Sequence, residues 1–265
     1  MVARPLALLV LAACSGKPRA EDAAHGAVVR GDGGPAVDGA AGDGALGGGA
    51  AADAGGDGGL ATGDLQIRIE WPDVPVGARS SPGRTPCNTP RAAAVAPTTT
   101  WGVPGVLVVV AGSAPPLGEV RVTLADCALS PRLSVAGALV IASAVDHPAS
   151  VVLRERGPLE RQVAGVAVPV LLPISGHAVA TALTPGAIYS LETAGLDPEL
   201  AYVAALPGAQ VTEASGQVTV RALAAGSHAV TAWLPPRAGQ PARTGHATAT
   251  VVAGDLAELT ITLAP

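Results

Sequence analysis

From Asp64 onward, short apolar runs alternate with polar residues and are punctuated by Pro and Gly. Leu65-Gln-Ile-Arg-Ile-Glu-Trp71, Val120-Arg-Val-Thr-Leu124, Val218-Thr-Val220 and Leu259-Thr-Ile-Thr-Leu263 place an apolar side chain at every second position. Successive side chains of a strand point to opposite faces, so this period predicts strands with one buried face. Val106-Leu-Val-Val-Val110 is apolar without interruption, which predicts a strand buried on both faces. No stretch sustains a 3.6-residue period between capping residues, so helices should be few. Strands at this spacing predict an all-β fold, and about 200 residues is more than one small sandwich needs, so two β-sandwich modules are expected.

Upstream of Asp64 the pattern disappears. Residues 15–63 are mostly Gly, Ala and Asp, as in Ala52-Asp-Ala-Gly-Gly-Asp-Gly-Gly59. Such a segment has little to bury against its conformational entropy and is expected to be a disordered tether, with a reach of roughly 40 Å. Its Gly-Asp pairs lack the apolar residue at fixed period that calcium-binding nonapeptide repeats require.

The first residues combine Arg4, the apolar run Leu6–Leu11 and the small residues Ala12-Ala13 before Cys14. That arrangement reads as a secretory signal, and the run is too short to span a bilayer. Leu11-Ala12-Ala13-Cys14 resembles the lipobox of bacterial lipoproteins. The resemblance implies a signal peptide over 1–13, cleavage before Cys14 and lipidation of Cys14, with membrane lipid as a partner. More than one acyl chain is what a stable anchor needs. Ser15 after the cysteine implies the outer membrane.

Composition adds exclusions. Of 265 residues, 49% are hydrophobic, with no Phe, two Tyr and three Trp, and net charge is −5. No basic patch with interleaved aromatics occurs, so a nucleic-acid partner is not expected. With Cys14 lipidated, Cys87 and Cys127 remain as an even pair, suited to a disulfide in an oxidising compartment. Two metal-ligating thiolates are the alternative, although no His lies near them in sequence.

Two stretches carry family resemblances. Gly105–Val110, Val122-Thr-Leu-Ala-Asp-Cys-Ala-Leu-Ser-Pro-Arg132, Gly137–Ile141, Val166–Leu172, Leu183-Thr-Pro-Gly186 and Ala201-Tyr-Val203 together resemble a cupredoxin-like Greek-key domain. The resemblance implies a type 1 copper site with two His, one Cys and a weak axial Met. The chain departs from it at each ligand. The first histidine belongs near Ala149-Ser150, where His147 is two positions away; Ala194 stands for the thiolate, Asp197 for His and Leu200 for Met. Further on, Thr212–Val220, Leu223–Trp233, Ala249–Gly254 and Leu259–Ile261 resemble the carboxypeptidase regulatory-like domain, a seven-stranded Ig-like or prealbumin-like sandwich. The resulting expectation is a tether over 14–63, a cupredoxin-like domain over 64–206 and the small sandwich over 207–265.

The remaining candidates are scattered. His147 beside Asp146 could form half of an acid/base pair, yet Pro148 points to a surface loop. Ser175-Gly176-His177 lacks the residues of a nucleophile elbow and reads as a turn. His228 and His246 fall on expected strands. A metal or redox site using His147 with His177 or Asp197 is one reading, and a glycan platform on Trp101 or Trp71 another. The expectation carried forward is a non-enzymatic envelope lipoprotein without cofactor, binding an envelope protein or glycan or acting structurally.

Overall fold

The computed structural model describes residues 61–95, 102–157, 159, 165–194, 199–237 and 239–264, all within one compact unit spanning Gly55–Pro265. Cys14, the expected signal peptide, all of the expected tether except residues 61–63, Trp101 and Asp197 lie outside the described residues, and Thr62 and Gly63 open the first strand.

Strands β1 (Thr62–Glu70) and β2 (Leu107–Val110) come first, with a single helical turn, α1 (Val76–Arg79), between them. Nine strands follow: β3 (Glu119–Ala125), β4 (Ala128–Ser130), β5 (Leu133–Val135), β6 (Ala138–Ser143), β7 (Ala149–Gly157), β8 (Ala167–Leu172), β9 (Ala178–Ala182), β10 (Ile188–Thr193) and β11 (Ala201–Ala204). The last five are β12 (Ala209–Val211), β13 (Gln217–Ala224), β14 (Gly226–Leu234), β15 (Arg243–Val251) and β16 (Leu256–Thr262). The fold is all-β, as the period-two pattern predicts.

Four sheets form two sandwiches. One sandwich faces β13-β1-β16 with β12-β2-β14-β15; the other faces β4-β3-β6-β9 with β5-β11-β10-β7-β8. Their cores follow the alternation directly. Leu65, Ile67 and Ile69 of β1 meet Val108 and Val110 of β2 and Val230, Ala232 and Leu234 of β14 in the first core. Val122 and Leu124 of β3 meet Leu139, Ile141, Leu153 and Leu191 in the second.

The two middle sheets pack on each other. Leu107, Ala209 and Trp233 from one sandwich contact Leu133, Ile188, Tyr202 and Ala204 from the other. This third apolar layer explains the uninterrupted run in β2. Val108 and Val110 point into the first core, while Leu107 and Val109 point into the layer between the sandwiches. A strand in a sheet covered on both sides has no solvent face for polar residues.

The strands divide differently from the expected 64–206 and 207–265. β1 lies between β13 and β16, antiparallel to one and parallel to the other, with Ile67 opposite both Val218 and Leu259. β2 lies between β12 and β14. Residues 207–265 therefore supply five of the seven strands of the first sandwich, and the two central ones come from upstream. The second sandwich, β3–β11, is inserted between β2 and β12. The chain leaves and returns at neighbouring points, where the Val110 amide donates to the Gly208 carbonyl at 3.3 Å. Closely spaced ends are what make one domain tolerable inside another.

Candidate functional site

The cysteines are placed first by the fold. β3 and β4 form a hairpin with a two-residue turn, Asp126-Cys127, both at positive φ (48° and 62°). That is the type I′ geometry, whose twist matches antiparallel strands. The turn presents Cys127 to Cys87, and the two are joined in a disulfide with Cα atoms 5.7 Å apart. Cys87 belongs to the connection between β1 and β2, whose Val74, Ala78 and Val95 are buried in the first core. The bond thus ties the first sandwich to the inserted one.

Two of the four expected ligand positions meet at one end of the second sandwich. β7 pairs with β8 so that Ser150 faces Leu171, and with β10 so that Val151 faces Thr193. The Ala194 amide then donates to the Ser150 carbonyl at 3.1 Å. An open depression of about 370 Å³ results, lined by His147, Pro148, Ala149, Ser150, Leu171 and Ala194. The position expected for a first histidine and the position expected for a thiolate are therefore adjacent. Methyl and hydroxyl groups occupy them. His147 is exposed on the rim, its Nδ1 3.4 Å from an Asp146 carboxylate oxygen. Leu200 lies elsewhere and packs against the layer between the sandwiches.

His177 lies in the turn before β9, at the same end. Gly176 has φ 81° there, the His177 amide donates to the Ile174 carbonyl at 3.2 Å, and the His177 carbonyl accepts from the Ser143 amide at 2.9 Å. The Ser175-Gly176-His177 sequence is a turn, as its glycine implies. Among the described residues, no three His, Cys, Asp or Glu side chains gather closely enough to hold a metal ion. Nor is any described helix long and apolar enough to cross a membrane.

Trp71 is only 4% exposed, and the Arg243 guanidinium stands 4.1 Å above its ring. A glycan platform needs an open aromatic face. This one is covered from inside by the first core and from outside by a cation, so Trp71 is a packing residue and its candidacy is withdrawn.

Two groups of side chains escaped the sequence reading. The Tyr189 hydroxyl donates to a Glu155 oxygen at 3.1 Å and accepts from the Thr184 amide at 2.9 Å, beside an open apolar depression lined by Leu153, Val166 and Val168. Arg132 pairs with Glu199, and Arg156 reaches Ser190, the ladder partner of Tyr202, near the layer between the sandwiches. They come from four separate strands or strand ends, so linear spacing carries no trace of the cluster. The one available signal is Arg154-Glu-Arg156, which puts two arginines on the same face of β7.

Comparison with protein-family models, curated proteins and solved structures finds no match to the chain.

Proposed function

We propose that the chain is a non-enzymatic lipoprotein of the cell envelope, anchored through Cys14, with a binding or structural role. The observation that carries this reading is the Cys87–Cys127 bond. A disulfide joining the β1–β2 connection to the β3–β4 turn suits an oxidising compartment. It also leaves Cys14, inside the lipobox-like Leu11-Ala12-Ala13-Cys14, as the cysteine of the three that is outside the bond.

The inserted sandwich is read as a cupredoxin-like scaffold that has lost its metal ligands, and the enclosing one as an Ig-like or regulatory-type module. Support for the first comes from its mixed pairing, in which β3 lies parallel to β6 and β5 parallel to β11 among antiparallel neighbours. Support for the loss comes from Ala149, Ser150 and Ala194 at the positions where ligands belong. A blue-copper centre needs a thiolate, and both Cys87 and Cys127 are engaged with each other.

Labelling with a tritiated fatty acid, followed by membrane fractionation, tests the anchor. Label and membrane association should both be lost in Cys14→Ser; an unlabelled, soluble wild-type protein overturns it. Metal analysis of the purified protein tests the scaffold reading. Copper at one equivalent with a thiolate absorption band overturns it.

A further inference from the structure

An unpaired sheet edge is a row of amide donors and carbonyl acceptors able to take another strand. Most edges of this fold are closed or cut short. β15 and β16 lean together, the Thr244 amide donating to the Ala264 carbonyl at 3.0 Å and the Ala264 amide to the Thr244 carbonyl at 2.8 Å. β8 carries Pro169 in mid-strand; β4, β5 and β12 have three residues each, and β9 has five. β13 has eight residues and no proline, and β1 is its one neighbour in the sheet.

The ladder shows which groups of β13 are free. The Ile69 amide donates to the Gly216 carbonyl at 2.9 Å, and Ile67 and Leu65 stand opposite Val218 and Val220. Main-chain groups of alternate residues turn to opposite sides of an antiparallel strand. Val218 and Val220 therefore bond to β1, while Gln217, Thr219 and Arg221 direct their main-chain groups to the open edge. Two depressions of about 390 and 470 Å³ run beside that edge, and Gln210, Thr219 and Arg221 line both. There is room alongside.

Charge lies along this edge in a fixed order. The Glu213 amide donates to the Gln217 carbonyl at 3.0 Å, which holds Glu213 at the start of β13. Arg221 stands toward the other end, and both side chains line the same depression. Both are exposed, and neither is in an ion pair among the described residues. A second copy of the edge, laid antiparallel, reverses the order. Pairing Thr219 with Thr219 of that copy puts Gln217 opposite Arg221 and brings the acidic end of each copy to the basic end of the other. The two threonines exchange main-chain bonds and form a favourable cross-strand pair, and no like charges face each other. A foreign strand gains the same main-chain bonds without this built-in match.

We propose that the free edge of β13 pairs antiparallel with that of a second copy, in register about Thr219, joining two β13-β1-β16 sheets into one. The proposal does not depend on anchoring through Cys14.

Sedimentation equilibrium of the full chain carrying Cys14→Ser tests it, since no lipid then holds copies together. The contact is small, so the monomer–dimer transition should fall between about 10 µM and 1 mM. Thr219→Pro removes an amide that faces outward, where an edge strand accepts proline. It should abolish the dimer and leave the far-ultraviolet spectrum unchanged. Arg221→Glu and Glu213→Arg should each weaken the dimer about three- to thirtyfold, and combining them should restore it. These charge exchanges carry the test alone if Thr219→Pro does not fold. Amide exchange at Thr219 should be fast in the monomer and slow in the dimer. A chain that stays monomeric overturns the proposal, whether Thr219 exchanges fast or is protected by the chain's own upstream residues. A dimer of equal Kd in a folded Thr219→Pro, or one that the combined exchange does not restore, overturns it too.

Discussion

His228 shows how a single polar side chain is accommodated in the first sandwich. It is buried on β14, with Nδ1 2.8 Å from the Ala111 carbonyl and Nε2 2.7 Å from the Ala224 carbonyl. The ring therefore joins the chain just after β2 to the end of β13. An apolar replacement removes the ring's hydrogen bonding to these carbonyls, and a hydrogen bond lost from a partly buried site costs about 1–3 kcal/mol. His228→Leu should lower stability by about 1–3 kcal/mol in urea titration, with the m-value unchanged. Ala222 is the opposite case. It holds φ 52°, and its amide donates to an Asp64 carboxylate oxygen at 3.0 Å. Left-handed backbone at a residue bearing a Cβ costs roughly 1–2 kcal/mol. Ala222→Gly removes that cost against a smaller entropic loss, so its urea midpoint should be equal to or above wild type.

At the scale of elements, the strands themselves were legible and their partners were not. Every alternating stretch from Leu65 to Leu263 became a strand with its apolar set inward, because burial of one face fixes that period. The run at Val106 also gave its two-sided burial correctly. What local pattern does not encode is which strand lies beside which. Alternation in β1 is equally compatible with pairing to β3 or to β13, and the observed choice depends on contacts far away in the chain. Of the candidate site, the nearness of two expected positions alone was legible. Resemblance located Ala149-Ser150 and Ala194, which the β7–β10 register brings together, whereas the Arg132–Glu199 and Arg156–Ser190 contacts join strands far apart in sequence. The central position of β1 has a direct test. Ile67, with no exposed surface, should cost about 2–5 kcal/mol when replaced by Ala. Residues 207–265 expressed alone should lack the far-ultraviolet signature of a folded β-sandwich. Joining 61–112 to 207–264 by a short Gly/Ser link should restore it.

For the whole molecule, the two sandwiches behave as one body because three apolar layers and a covalent bond run through them. The disulfide spans 40 positions of sequence, which corresponds to about 4 kcal/mol of loop entropy removed from the unfolded chain. Unfolding under reducing conditions should move to lower denaturant by that amount. Alkaline pH should act at the same seam. Tyr202 titrates above its usual value of 10.0 because burial favours the neutral phenol. A raised folded value means that its contribution is complete below the unfolded value and falls away as pH rises through the folded one. Stability should therefore decline above about pH 10, and Tyr202→Phe should flatten that decline.

The insertion also sets a timetable. β1 is made early, yet its parallel neighbour β16 is the last strand of the chain, and everything in the second sandwich must be synthesised between them. Closing such distant pairings is slow, since the loss of chain freedom precedes any reward from contact. The inserted sandwich contains its own local ladders and is able to form first, and in doing so it shortens the effective gap that β2 and β12 must bridge. Refolding should accordingly be sequential, with Tyr202 and Trp233 reporting the late step at which the outer strands close around a finished insert.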